Sequence, residues 1–388
     1  MRSLWPLWIA VGVLVRLVIW YGTIGSNDVP TWASHGHHVG TLGLVETYRT
    51  VPIYNHPPLL GWYAMAAWDW ANQDMAWFAR LIKLPGLLGE ALALVALWRL
   101  GGLRLAGWYA LMPAPILVAA YHGNTDCLYA AFALLAAIAW DKSRWVLAGV
   151  AMAAALNVKL IPLVLVPLFV IGAPSRRAFW QFSLGLSLGL LPYLPPVLQA
   201  GDAMYRNMIA YNSSGDEWGF VAFLNEAERS PAIQAISVPL RELFLKFGRY
   251  LILGGSVLLA IACRRRLRMT MREQVAVVAG LFLFFAPGFG VQYVAFVAPL
   301  LLAVHVGAGV FWGIASGLFI GALYGAYLVP GAQWLSSFYA PFPGITPELG
   351  VIAWAGLGCW LWWHLSDAWR ASAPAVPSAP ATAGLAPR

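Results

Sequence analysis

Long apolar runs recur along the chain between short polar segments, and their pattern predicts helices. A segment such as "GGSVLLAIAC" (254–263) shows none of the apolar–polar alternation that a strand of a membrane barrel requires. Because a backbone in lipid must satisfy its own hydrogen bonds, helices are the remaining way to cross a bilayer. The predicted helices lie near 4–22, 83–99, 105–120, 128–141, 145–158, 160–172, 178–198, 246–263, 273–287, 291–305, 308–328 and 349–365.

The amino-acid composition, together with the helix pattern, predicts the fold class. The 388-residue chain is 61% hydrophobic and only 10% charged, whereas soluble domains carry about 25% charged residues. We therefore expect an all-α integral membrane protein with about twelve transmembrane helices (range 10–13). Residues 1–370 are predicted to form one polytopic domain, and the Ala/Pro/Ser-rich tail 371–388 to be disordered in the cytoplasm. The run 4–22 lacks a small-residue cleavage site and is expected to stay as the first helix.

Basic residues divide the connecting segments into two sides. The run "CRRRLRMTMR" (263–272) and the other Arg-containing turns fall on one side, which the positive-inside rule assigns to the cytoplasm. This alternation requires that "PPLLGWYAMAAWDW" (57–70) lie as a helix in the outer interface without crossing. The outer side then holds a first loop (23–82) and a second loop (199–245), with most of the acidic residues. The expected location is a bacterial cytoplasmic membrane, with both termini in the cytoplasm and the site facing the periplasm.

Candidate chemistry gathers on this outer side. An ammonium group in an apolar run is costly and usually marks a function, although a lysine that reaches the interface with its head group is an alternative explanation. Five polar motifs on one face predict a cavity at the outer boundary of the membrane. The motifs are Asp28, "YNHPPL" (54–59), "YHGNTD" (121–126), Lys159 within "LNVKLIPL" (156–163) and "PGFGVQY" (287–293).

Simpler explanations stay open for the acidic residues. Asp28 is also placed to cap a helix, since Pro30 suits a first helical turn. His122 and Asp126 are also explained as solvated residues of an exposed turn.

The histidines of "SHGHH" (34–38) raise the question of a metal site. His35 and His38 share a helical face with Trp32, and that face alone supplies too few ligands for zinc. Asp126 or His56 would have to join from other loops to complete the site.

The order of these motifs resembles the GT-C superfamily of polytopic glycosyltransferases, over about residues 1–305. It is most similar to the transferases that use dolichyl- or polyprenyl-phosphate-glucose or -mannose. A first-loop acid, a Pro-Pro motif, a His-Gly turn, a Lys-x-x-Pro segment and a later Gln-containing turn occur there in the same order. The resemblance implies an inverting hexosyltransferase that moves a mannose- or glucose-class sugar from a polyprenyl-phosphate donor to a lipid-linked or glycolipid acceptor at the outer face.

The same resemblance assigns roles to residues. Asp28 would be the general base, and Lys159 the cation that stabilises the departing phosphate. It implies no cofactor and no nucleic-acid partner, only a bilayer and lipid-linked substrates. A divalent metal held by Asp126 with Asp28 stays open, although the first loop lacks the paired acids of metal-dependent members. The other donor-site residues would be His122, His56, Asn55, Asn124, Asp126, Gln292 and Tyr293, and the acceptor-side residues Trp32, His35 and His38.

Two further interpretations remain. Trp32 and Trp218 are candidates for stacking on sugars or, preferably, for anchoring in the interface. The rival function is a secondary transporter or flippase for a lipid-linked or anionic solute, because intramembrane charges and broken helices also suit transporters. A transporter should place its polar groups near the midplane and show paired repeats. The gathering of polar motifs at one face favours an enzyme.

Overall fold

The structure is a computed structural model that describes residues 4–210, 218–228, 230–328 and 346–372. Every regular element in these ranges is helical and none is a strand, as the apolar runs predicted. The predicted tail 371–388 lies outside the described residues from 373 onward. The α-helices are α1 (Trp5–Gly22), α2 (Asp28–Leu42), α3 (Leu44–Thr50), α4 (Pro58–Trp70), α5 (Met75–Ala110), α6 (Pro113–Ile116), α7 (Asp126–Asp141), α8 (Trp145–Val158), α9 (Val166–Ile171), α10 (Arg176–Gly189), α11 (Leu194–Met204), α12 (Gly219–Glu228), α13 (Pro231–Arg265), α14 (Met271–Phe284), α15 (Val294–Val304), α16 (Val306–Leu328) and α17 (Thr346–Ala371).

Short helical segments of other types join several of these helices. They mark places where prolines or glycines interrupt the α-helical hydrogen bonds. Two are π-helical (Leu117–His122 and Tyr205–Ile209), and three are 3₁₀-helical (Ile161–Leu165, Leu191–Tyr193 and Val291–Tyr293).

Several helices can cross a bilayer by length and composition. In the described ranges these are α1, α5, α13 and the Val306–Gly325 part of α16. The bent pair Arg176–Gly189 and Leu191–Ile209, with an angle of 46°, would make a fifth span. Other apolar helices, such as α8, are shorter than the roughly 20 residues that a perpendicular span needs. The all-α membrane fold is confirmed, and the total of about twelve spans stays a prediction.

Helix α5 reverses direction near its end. The backbone leaves the helical region at Gly101 (φ −138°) and Gly102 (φ 70°). The hydroxyl of Tyr109 donates to Oε1 of Glu90 at 2.5 Å, whereas 19 residues of continuous helix would separate them by roughly 28 Å. The chain therefore folds back at the two glycines, in agreement with the turn predicted between helices 83–99 and 105–120.

A buried ion pair joins α1 to both arms of α5. Arg16 donates to Oε2 of Glu90 from Nη2 at 2.6 Å and from Nε at 3.0 Å. Its Nη1 donates to the carbonyl oxygens of Gly12 and Ala110 at 2.9 and 2.6 Å. The Arg16 and Glu90 side chains are only 5% and 3% exposed, so both charges are neutralised inside the protein.

The outer segments are more helical than their polar sequences indicated. The helix predicted at 57–70 is confirmed as α4, and α2 and α3 occupy the rest of the first loop. The predicted second outer loop, 199–245, contains the end of α11, a π-helix, α12 and the first part of α13. Its position outside the membrane stays a prediction. Polar residues there stabilise helices by pairing with one another, as in the 2.6 Å bond from Nε of Arg241 to Glu228.

Helix α7 lies at the centre of the helical bundle. It packs against α5, α8, α14 and α15, and Tyr129 near its start contacts Phe296 with ring centroids 4.9 Å apart. The helix begins at Asp126, so its first turn brings the "YHGNTD" segment into the centre of the protein.

Candidate active site

The "YHGNTD" segment follows an irregular helix. Pro113 and Pro115 remove backbone donors from the first turns after α5, and residues Leu117–His122 continue as a π-helix. Such segments occur frequently at functional sites. Gly123 ends the π-helix in a left-handed conformation (φ 83°) that a residue without a side chain adopts at little cost. This turn carries His122 and Asn124 toward the first outer loop.

The loop before α2 binds to the backbone of that turn. Ser26 donates its hydroxyl and its amide to the carbonyl oxygen of His122, at 2.7 and 3.3 Å. The Ser26 hydroxyl oxygen in turn accepts the amide of Asp28 at 3.2 Å. These bonds hold Asp28 beside His122 although 94 residues separate them in the chain.

The carboxylate of Asp28 is held through one oxygen. Oδ2 lies 3.1 Å from Nε2 of His122 and accepts Nδ2 of Asn124 at 2.6 Å. The amide orientation of Asn124 is defined because its Oδ1 accepts the Thr125 amide at 2.7 Å. Within the described residues no group donates to Oδ1 of Asp28, and the side chain is 27% exposed. One oxygen of the carboxylate is therefore oriented and the other is available.

The surroundings keep Asp28 ionised. Burial alone would raise the pKa of its carboxyl. Electrostatic attraction to the His122 imidazole, the hydrogen bonds from His122 and Asn124, and the Lys159 charge outweigh burial and lower the pKa from 3.8 to about 2. The group is an anion throughout the neutral range.

Lys159 lies near this carboxylate but forms its ion pair with another acid. It follows the last turn of α8, and its Nζ donates to Oδ1 of Asp126 at 2.7 Å. The ammonium also lies 4.7 Å from the ring centroid of Tyr293, in the range of a cation–π interaction. The lysine side chain is 16% exposed while that of Asp126 is fully buried. Lys159, Asp126 and Tyr293 thus form a second cluster of predicted site residues.

A third cluster contains aromatic rings and two histidines. Trp32 stacks on His56 with ring centroids 4.0 Å apart, and His35 lies edge-on to Tyr54 at 5.1 Å and to His56 at 5.5 Å. Burial lowers the pKa of His35 to about 4 and that of His56 well below its ordinary value. Both imidazoles are therefore neutral at neutral pH. Lys159 and Asp28 act electrostatically on His56, which places this cluster beside the other two.

The remaining predicted residues are partly exposed and have no hydrogen bond to the three clusters among the contacts described above. Asn55 and Gln292 are half-buried. His38 is half-buried on α2, where its Nδ1 lies 3.4 Å from the Ser34 hydroxyl. Their assignment to donor or acceptor binding stays a prediction.

Trp32 and Trp218 do not anchor the protein in the interface. They are only 2% and 1% exposed. Trp218 stacks on Phe289 with centroids 4.6 Å apart, and its indole N–H donates to the carbonyl oxygen of Leu283. Both indoles are packed against other rings inside the protein, Trp32 against His56 and Trp218 against Phe289.

Two of the simpler explanations are wrong. Asp28 lies in the first turn of α2 but makes no capping bond, since its carboxylate is bound to His122 and Asn124. His122 and Asp126 are fully buried, so neither is a solvated residue of an exposed turn.

Two buried polar residues beside the site were not identified from the sequence. Lys83 is fully buried, and its Nζ donates to the carbonyl and hydroxyl oxygens of Thr23 at 2.6 and 3.1 Å. Tyr324 of α16 places its hydroxyl 2.7 Å from Nδ1 of His122. The rarity of charge in apolar helices was a usable signal for Lys83, whereas a tyrosine in such a helix gives none.

Two cavities lie outside the predicted site residues. A surface cavity of about 420 Å³ on the first outer segment is lined by Leu42, Gly43, Leu44, Val45, Glu46, Arg49, Trp62, Pro195 and Pro196. Another, of about 310 Å³, lies between α15, α16 and α17 and includes His305 and Trp360. Neither lining contains a predicted site residue.

Whether Asp28 and Asp126 could hold a metal ion depends on their present hydrogen-bond partners. Asp28 accepts from His122 and Asn124, and Asp126 accepts from Lys159. Among the described residues, no group of three or more His, Cys, Asp or Glu side chains is arranged to hold a metal ion. The proposed pairing of Asp126 with Asp28 around a metal is therefore not supported by their contacts.

Comparison with known proteins places this geometry in context. Residues 56–226 match the model of glycosyltransferase family 87. The match covers less than half of the chain and shows that this part of the chain is similar to glycosyltransferases. The matched range contains His56, His122, Asn124, Asp126 and Lys159, whereas Asp28 and Tyr324 lie outside it.

Two further comparisons add less. The crystal structure of ArnT from Cupriavidus metallidurans in the apo state aligns with 95% of this chain and 78% of its own, at 16% identity and a TM-score of 0.47. No curated protein sequence matches the chain.

Proposed function

We propose that the protein transfers a mannose- or glucose-class sugar from a polyprenyl-phosphate donor to a lipid-linked or glycolipid acceptor, with inversion at the anomeric carbon. The observation that carries the proposal is the Asp28 carboxylate, whose Oδ2 is held by two donors while Oδ1 has no donor among the described residues. A general base needs this combination of a defined orientation and an available lone pair. The match to glycosyltransferase family 87 supports the reaction class.

In the proposed step, Oδ1 of Asp28 first accepts a hydrogen bond from the acceptor hydroxyl. The hydroxyl oxygen attacks the anomeric carbon, a new C–O bond forms, and the bond from that carbon to the donor phosphate breaks. The proton moves from the attacking oxygen to Asp28, and the polyprenyl phosphate leaves with the bonding electrons. A carboxylate with a pKa of about 2 is a weak base, but it suffices because the attacking oxygen becomes strongly acidic as its new bond forms.

Lys159 is proposed to stabilise the phosphate that departs. Its ammonium has three N–H donors, and Asp126 accepts one of them at 2.7 Å. The side chain is 16% exposed, so a donor phosphate can reach the ammonium without separating it from Asp126. A fixed cation at the site of developing negative charge lowers the barrier more than it strengthens ground-state binding. His56 lies within electrostatic reach of Lys159 and, as a neutral imidazole, can donate one hydrogen bond.

We propose that no metal ion takes part, because protein donors already engage both Asp28 and Asp126. We also propose that the site faces the periplasm of a bacterial cytoplasmic membrane, with both termini in the cytoplasm. The support for this orientation is the position of the Arg-rich turns. The short predicted outer segments 23–82 and 199–245 support a lipid acceptor over a soluble protein in this proposal.

The test is sugar transfer in proteoliposomes, with polyprenyl-phosphate-mannose or -glucose as donor and bacterial lipid extract as acceptor. Asp28→Asn should reduce transfer by about 10²- to 10⁴-fold, the usual contribution of a general base, while the protein stays folded with at most a modest loss of thermal stability. The amide can still accept from His122 and Asn124, so the variant removes the charge and keeps the contacts. The wild-type rate should be unchanged by EDTA, and inhibition by EDTA would contradict the metal-free mechanism.

Glu46→Gln is the matched control, since Glu46 is an exposed carboxylate of the same outer segment whose partner is Arg49 at 3.3 Å. It should transfer sugar at the wild-type rate. Full activity in Asp28→Asn would remove Asp28 from the mechanism. A labelled donor that crosses the bilayer without cleavage of its sugar–phosphate bond would instead support the transporter hypothesis.

A further inference from the structure

Tyr324 contacts the candidate site from a helix that no sequence motif covers. It lies on α16 and is 1% exposed. Its ring packs against Tyr121 with centroids 4.9 Å apart, and its hydroxyl oxygen lies 2.7 Å from Nδ1 of His122. His122 is thus held at both ring nitrogens, by Tyr324 on one side and by Asp28 on the other.

The chemistry of the two partners defines the direction of these hydrogen bonds. An ionised carboxylate only accepts, so Nε2 of His122 must carry the proton that faces Asp28. In a neutral imidazole Nδ1 is then the acceptor, and the hydroxyl of Tyr324 is the group placed to donate to it. With the hydroxyl absent, Nδ1 loses the partner that holds the ring from that side, so the direction of the Nε2–H bond to Asp28 is less well defined. The partner of one ring nitrogen of a histidine commonly fixes the orientation of the other in this way.

We propose that Tyr324 is a positioning residue for the transfer reaction, which acts through His122 to orient the Asp28 carboxylate. This inference rests on the proposed function, in which Asp28 is the base. Tyr324 holds the imidazole in the orientation that donates Nε2–H to Oδ2. Oδ1 is thereby directed toward the acceptor. Because α16 lies outside the matched range 56–226, the proposal adds a late helix to the catalytic unit.

The experiment is a double-mutant cycle measured as sugar transfer in proteoliposomes. Tyr324→Phe removes the hydroxyl and keeps the ring that packs on Tyr121. It should lower kcat by about 3- to 10-fold, the range that one hydrogen bond supports, with the KM for the donor unchanged. His122→Gln supplies the second arm, because a glutamine can donate its side-chain N–H to Asp28 and has no Nδ1 for Tyr324 to hold.

In the His122→Gln background, Tyr324→Phe should have no further effect on kcat. An equal loss in both backgrounds would show that Tyr324 acts independently of His122 and would overturn the inference. A rise in the KM for the donor with kcat unchanged would also overturn it, because Tyr324 would then act in binding. Tyr193→Phe is the matched control, since its hydroxyl donates to a backbone carbonyl, that of Leu156, at 2.6 Å. It should leave kcat unchanged.

Asp28→Asn, measured in the same assay, separates this inference from the proposed function. An inactive Asp28→Asn together with a fully active Tyr324→Phe would leave the proposed function standing and overturn the role of Tyr324. Full activity of Asp28→Asn would overturn both.

Discussion

Glu90 and Asp28 are both carboxylates held by side chains from distant parts of the chain, but their oxygen atoms are used differently. Oε2 of Glu90 accepts from Arg16 and Oε1 accepts from Tyr109, and the side chain is 3% exposed. Asp28 accepts both of its bonds at Oδ2 and is 27% exposed. Both oxygens of the first carboxylate accept hydrogen bonds inside the protein, whereas one oxygen of the second has no donor among the described residues. The first pattern is typical of a structural ion pair, and the second is the pattern that the proposed general base requires.

The Lys159–Asp126 pair is intermediate between these two. Its acid is as buried as Glu90, but its ammonium is partly exposed and uses one of three donors on Asp126. Burial of charge alone therefore does not identify a catalytic group. A donor or acceptor that has no partner among the described residues and is accessible to a substrate is a better indication of a catalytic group than burial of its charge.

The largest effect on stability is expected from breaking the buried Arg16–Glu90 ion pair, hereafter the closed pair. Arg16→Met leaves Glu90 buried without its cation, and this should lower the free energy of unfolding by about 3–5 kcal/mol. Chemical or thermal unfolding in detergent measures the loss. Activity per folded molecule should not change, because neither residue contacts the candidate site.

The double variant Arg16→Met/Glu90→Gln is the control for the closed pair. It removes both charges and should recover much of the lost stability, since no uncompensated charge remains. A variant that keeps full stability but loses transfer activity would contradict the structural role assigned to this pair.

The Lys159–Asp126 pair can be tested for a structural role, like that of Arg16–Glu90, against a role in the transfer reaction. Lys159→Met/Asp126→Asn removes both charges, so neither is left buried alone. If Lys159 stabilises the departing phosphate, kcat/KM should fall by about 10²-fold, as on removal of one charge-stabilising donor. Sugar transfer and thermal stability are measured together. A double variant that is stable and fully active would place this pair with Arg16 and Glu90 as a structural element.

The sequence predicted well what depends on local pattern. The bounds of α8, at Trp145–Val158, agree with the predicted helix 145–158, because an unbroken apolar run between turns leaves few alternatives. The order of the motifs also brought Asp28 and His122 into one hypothesis, and the structure joins them directly.

The sequence did not predict what depends on contacts between distant segments. Arg16 and Glu90 are 74 residues apart, and Tyr324 and His122 are 202 residues apart. The local sequence around Arg16 does not indicate Glu90 as its partner, and the local sequence around Tyr324 does not indicate His122. The helices within 199–245 were missed for a related reason, because their polar faces are stabilised by neighbours such as Arg241 and Glu228 that only the fold brings together.

The smallest expected effect is a change in pH dependence that tests how Asp28 is held. Its pKa in the folded protein is about 2 against an ordinary 3.8. Because the folded pKa is the lower one, the contribution of Asp28 to stability is present above 3.8 and is lost as the pH falls toward 2. Protonation of this group should therefore cause no loss of kcat/KM between about pH 8 and about pH 4 in the wild type.

His122→Leu should change this profile by removing the imidazole that offsets burial. The pKa of Asp28 then rises, and kcat/KM should decline on the acidic side of neutrality, where the wild-type profile is flat. His37→Leu is the matched control, because His37 is an exposed histidine of α2 whose ring neighbour is His38, and it should leave the profile unchanged. If the profiles of wild type and His122→Leu coincide, His122 does not determine the ionisation of Asp28. The ionisation of Asp28 would then depend on Asn124 and Lys159.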